Sequence, residues 1–109
     1  MMNADKISEI IATYEKHGWV LRRVLLSAEL KASLGAEPFK GVKTVDSDIN
    51  AAWFSRPPKP GGVAWEIRYL GDIAFALVEN IDEDSSEFES SLRGVETRLR
   101  DTVATKRSA

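Results

Sequence analysis

Apolar residues recur at Ile7, Ile10, Ile11 and Tyr14, the spacing of one helix face, behind the capping candidates Asn3 and Asp5. This predicts an amphipathic helix over residues 4–16, ended by Gly18. From Trp19 the pattern becomes "WVLRRVLLS", short and rich in branched residues, which predicts a strand over 19–26. A helical turn from Glu29 to Leu34 follows, stopped by Gly35. Residues 35–48, "GAEPFKGVKTVDSD", mix glycine, proline and charge without a period, and only Val42 to Val45 have the character of a short edge pairing. Residues 49–56, 63–70 and 73–80 each carry aromatic or branched side chains between turn residues, and so predict three successive strands in a meander.

The last segment, "DEDSSEFESSLRGVETRLRDTVATK", pairs Asp84 with Glu87 as a capping box and places Phe88, Leu92, Val95, Leu99 and Val103 on one stripe. One long helix is predicted. Glu89 to Arg93 and Glu96 to Arg100 have the favourable i to i+4 order of a solvated face, while Gly94 costs about 1 kcal/mol against alanine.

Gly71-Asp72, between Leu70 and Ile73, is a two-residue hairpin signal that sets every partner in the two flanking strands. It predicts one face of Trp65, Ile67 and Tyr69 opposite Val78, Ala76 and Ala74, the face that helices should cover. The other face then holds Phe75 opposite Arg68 and Leu77 opposite Glu66. One of the neighbours Trp53 and Phe54 must join it, because successive strand residues point to opposite sides. Each helix covers a strip only about 10 Å wide, so the helices are expected to leave the second face open to a partner, a ligand or the loop before residue 49 folded back over it. The expected fold is a single α+β domain over 1–109: an N-terminal helix, a four-stranded, mainly antiparallel sheet, and a long C-terminal helix, with both helices on one sheet face.

Composition narrows the function classes. Fifteen Lys and Arg against seventeen Asp and Glu give a formal charge of −2, so no global field draws the chain to nucleic acid or anionic lipid. The absence of cysteine removes disulfides, thiolate metal sites and a thiol nucleophile. No basic leader with an apolar run follows Met1, and no segment reaches the ~18 apolar residues of a membrane span, so a cytoplasmic location is expected.

The only histidine, His17, sits before Gly18 as a helix C-terminal cap. The acidic run from Asp82 lacks the alternating carboxylates and glycine of a calcium loop, and no serine stands in a nucleophile motif. Gly61-Gly62 opens a strand instead of a helix, which argues against a phosphate loop, and "PPKP" reads as a stiff hairpin tip. Arg22 and Arg23, with Arg56 and Arg68, alternate with strand residues near Trp19 and Trp53, yet no RNA-sheet signature surrounds them. No catalytic residue, metal ligand or cofactor follows from these patterns. The expectation is a non-catalytic interaction or scaffolding module, homodimeric through the open apolar face, with Trp53, Phe54, Arg56, Glu66, Arg68, Phe75 and Leu77 at the contact. The alternative is a small-molecule domain that binds a planar anion between the sheet and the 35–48 loop, with Arg56 or Arg68 beside tryptophan.

Overall fold

A computed structural model describes residues 3–34, 39, 41–59, 62–71 and 73–108. Helix α1 (Ala4–Lys16) begins at Asn3, whose side chain accepts the Lys6 N–H at 3.0 Å, and closes at His17 before Gly18 turns left-handed at φ +89. Strand β1 (Val20–Leu26) leads into α2 (Ala28–Leu34), which starts beneath Ser27, whose hydroxyl accepts the Leu30 N–H. Then come β2 (Lys43–Asp46), β3 (Ala51–Lys59), β4 (Gly62–Tyr69), β5 (Ala76–Asn80) and α3 (Phe88–Ser108).

The fold is α+β with a five-stranded sheet in the order β2-β1-β3-β4-β5. The last three strands form the expected meander, and the fifth strand is the short segment that contains Val45, which pairs parallel to β1 at one edge. Helix α3 starts three residues later than a cap at Asp84 predicts. Asp82 and Ser85 spend their side chains on the N–H groups of Asp84 and Glu87, which holds 82–87 in turns.

The helices do not share a face. Leu92, Val95, Leu99 and Val103 of α3 pack on Leu25, Ala51, Trp53, Trp65, Ile67 and Tyr69. Ile7, Ile10, Ile11 and Tyr14 of α1, with Leu30 of α2, pack on Val24, Leu26, Ala52, Phe54 and Leu70 on the other side. The expectation of an open second face fails because the central strands β1 and β3 are apolar on both sides, and one helix strip on each side suffices to cover them. What α1 and α2 leave open lies over β4 and β5, where Val78 is 57% exposed.

The β4–β5 register also differs by one residue from the two-residue turn. Arg68 pairs with Ala76, Ile67 with Leu77 and Glu66 with Val78, so Phe75 and Leu77 fall on the α3 side, away from Arg68 and Glu66. Asp72 itself lies outside the described residues. Leu70 is buried and donates its N–H to the Asn50 carbonyl at 2.8 Å, while Tyr69 N–H bonds Phe75 C=O, so the pairing closes at Tyr69 and Phe75 instead of at Leu70 and Ile73. Gly71 is required there, since a Cβ at that position would stand 2.5 Å from the Tyr69 ring.

Candidate functional site

The pairings Leu21 with Phe54 and Arg23 with Trp53 leave Arg22 as an extra residue, a β-bulge in β1. The bulge lets Arg22 and Arg23 both reach the α3 side. Arg22 lies 4.8 Å over the Trp65 ring, donates to Ser55 Oγ and forks onto Glu83 at 3.1 and 2.7 Å. Arg23 forks onto Glu89 of α3, both bonds at 3.0 Å.

Beside Arg23 a cleft of about 480 Å³ opens between α3 and the β1–β2 edge. Half-buried Val45 gives it apolar surface above the buried Leu25 and Leu92, and Arg23, Lys43, Arg93 and Arg100 bring four cations to it against the carboxylates of Asp46, Asp48, Glu89 and Glu96. Across the cleft Glu96 accepts the indole N–H of buried Trp53 at 2.8 Å, and Asp48 pairs with Arg100 at 3.2 Å. Asp48 and Arg100 also line a second cleft of about 420 Å³ that contains Ile49, Tyr69 and Val103, so this ion pair is the boundary common to both. The i to i+4 pairs expected on α3 are therefore replaced: Glu89, Glu96 and Arg100 each engage the sheet side instead of a neighbour on their own helix.

The electrostatics of the cleft centre on Glu89. Its hydrogen bonds from Arg23 hold the carboxyl below the usual range against the opposing effect of burial, aided by the charges of Arg23, Lys43 and Arg93. Glu83 is lowered in the same way, first by its hydrogen bonds from Arg22. Lys43 and Arg93 themselves form no ion pair among the described residues. An oxyanion can be received at the Arg23 guanidinium, with Lys43 and Arg93 nearby, only where it takes the place of the Glu89 carboxylate.

The seven residues singled out in the sequence are not gathered at one place. Trp53 is buried under α3 and touches the cleft only through Glu96. Phe54 faces the other side, as the alternation requires of one of the pair, but there it stacks flat on Tyr14 with centroids 4.0 Å apart. Arg56 donates to the His17 carbonyl at 3.0 Å and lies 5.5 Å over the Trp19 ring, anchoring the C-terminal end of α1. His17 Nδ1 donates to the Thr13 carbonyl at 2.8 Å in the capping role expected of it. Glu66 accepts the Tyr14 hydroxyl; burial first, and then this bond, raise that hydroxyl's pKa above its ordinary value. Arg68 donates to the Tyr69 carbonyl at 2.7 Å. Phe75 and Leu77 pack against the α3 cluster, with the Lys106 ammonium 5.3 Å from the Phe75 ring.

The cleft residues Arg23, Lys43, Glu89 and Arg93 escaped the sequence reading as a set. Their only signals were the arginine pair in "LRRVL" and the charges on α3 that flank Leu92. Of the 35–48 loop, β2 and residues 46–48 wall the cleft, whereas residues 35–38 and 40 lie outside the described residues, as do Pro60 and Gly61 of the hairpin tip. Among the described residues no cluster of carboxylates or histidine could hold a metal, and no helix is long and apolar enough to cross a membrane. No family model, curated protein or solved structure matches this chain.

Proposed function

We propose that this chain is a non-catalytic binding domain whose ligand is a small anion with an apolar body, held in the cleft between α3 and the β1–β2 edge. The observation that carries the reading is the convergence of Arg23, Lys43 and Arg93 beside Leu25, Val45 and Leu92 in one opening of about 480 Å³. That volume lies within the range of small-molecule sites, and the lining is mainly polar and charged, with Val45 as its apolar contact. The site lies between the sheet and part of the 35–48 segment, but its cations differ from Arg56 and Arg68. Titration of the methyl-labelled chain with a panel of small planar acids is expected to shift the methyls of Leu25, Val45 and Leu92. Reversing Lys43 and Arg93 to Glu should remove those shifts without unfolding the chain, because both residues are exposed. Shifts that persist after the reversal, or that centre on Leu21 and Val78 instead, would overturn the reading.

A second reading, self-association of two copies, is favoured by the strip of β4 and β5 that no helix covers. Exposed Val78 and part-exposed Ala64 and Ala76 alternate there with Glu66 and Arg68 across the pair, a pattern that a twofold axis makes self-complementary.

A further inference from the structure

We infer that Glu89 is an internal ligand of the cleft, a tethered carboxylate standing where Arg23 receives the carboxylate of a small organic acid, so that binding exchanges one carboxylate for the other. The inference rests on the reading of the cleft as a ligand site and adds the class of ligand and its built-in competitor.

Geometry comes first. Both terminal nitrogens of Arg23 bond both oxygens of Glu89 at 3.0 Å, the parallel two-bond fit that a guanidinium makes with a carboxylate and that a lysine does not make. The two partners differ in freedom. The Arg23 side chain is 15% exposed, whereas that of Glu89 is 51% exposed in the first turn of α3. The fork is thus a fixed feature of the cleft wall, and the carboxylate is a solvent-facing group that a few side-chain rotations release.

Charge favours the exchange. Three cations, Arg23, Lys43 and Arg93, draw on the single Glu89 carboxylate. The other acids of the cleft are engaged elsewhere: Asp46 with Lys31, Asp48 with Arg100, and Glu96 with the Trp53 indole. Counted with Arg100, the lining holds four cations against the four carboxylates of Asp46, Asp48, Glu89 and Glu96, so a second carboxylate finds surplus positive charge only when Glu89 swings out into solvent. Half-buried Val45, above the buried Leu25 and Leu92, offers the apolar contact that favours an acid with an organic body over a bare inorganic anion. Displacing Glu89 is cheap because a pair with one exposed partner contributes little to stability.

The test uses 2-naphthoate, its neutral amide and inorganic phosphate, titrated into the full chain and into Glu89→Gln while the Leu25, Val45 and Leu92 methyls are followed. Naphthoate should shift those methyls, the amide and phosphate should not, and Glu89→Gln should bind naphthoate about two- to fivefold more tightly, the range set by losing one partly exposed ion pair. Glu89→Asp, one methylene shorter, should also bind more tightly, and Arg23→Lys should weaken binding in either background. Equal affinity in the parent and both Glu89 variants overturns the internal-ligand inference and leaves the cleft standing as a site. Binding of phosphate but not naphthoate overturns the carboxylate class. If none of the probes moves these methyls in any variant, the site reading falls and the inference with it.

Discussion

Trp53 and Trp65 sit edge to face 6.1 Å apart, both almost fully buried, but their indole N–H groups have different fates. Trp53 donates to Glu96, while the buried Trp65 N–H has no acceptor among the described residues. A buried donor without a partner costs about 1–3 kcal/mol, so replacing Trp65 by phenylalanine recovers that loss and offsets part of the cavity it opens. Trp53→Phe opens a similar cavity and also discards a hydrogen bond to a charged group, worth about 1.5–3 kcal/mol. Urea unfolding of the two variants should therefore show Trp53→Phe as the less stable by about 2 kcal/mol or more. Equal losses would mean that water or a shifted side chain satisfies Trp65. That both tryptophans belong to a helix-covered core was only half legible from the chain. Alternation put Trp65 with Ile67 and Tyr69, correctly, but could not choose between Trp53 and Phe54, because both faces of β3 are apolar.

At the scale of the element, the decisive feature is the bulge at Arg22. The types of the elements were legible because each rests on a local period, as with the stripe from Phe88 to Val103 that forms α3. Register was not, because it depends on distant partners: Asn50 captures Leu70, the Tyr69 ring lies across Gly71, and together they move the β4–β5 pairing by one. A bulge leaves still less trace, since one inserted residue has no composition of its own. Its effect is nevertheless testable by deletion. With Arg22 removed, Leu21 and Val24 stay on the α1 side and Arg23 and Leu25 on the α3 side, in regular alternation. The deletion should fold and lose only the Arg22 contacts with Trp65, Ser55 and Glu83, about 1–3 kcal/mol in all. Deleting Leu25 instead flips half of β1 into the wrong layers, and that protein should be unfolded by circular dichroism. An Arg22 deletion that unfolds as readily would show that β1 carries no bulge.

For the whole molecule, the question is whether two copies meet. The sequence suggested an open apolar face because it counted one helix layer; α1 and α3 instead take opposite sides, and the apolar surface that pointed to a partner is largely inside the chain. What remains uncovered on the α1 side spans the five residues of β5 and the adjoining part of β4. At about 3.3 Å per residue and about 4.8 Å per strand this strip measures about 17 by 10 Å, small beside the ~800 Å² per partner of a stable interface. Its chemistry points the same way, since Glu66 and Arg68 are already hydrogen bonded within the chain and only Val78 offers a large exposed apolar group. Edge pairing through β5 adds backbone hydrogen bonds, but over five residues, and Glu79 on that strand is committed to Arg98 of α3. Sedimentation of the chain at micromolar concentration is therefore expected to give a monomer, with Val78→Arg sedimenting alike. A micromolar dimer that Val78→Arg dissolves would put self-association ahead of the cleft as the chain's principal binding function, since a strip so small would then have to recruit α1 and its rim to reach a stable area.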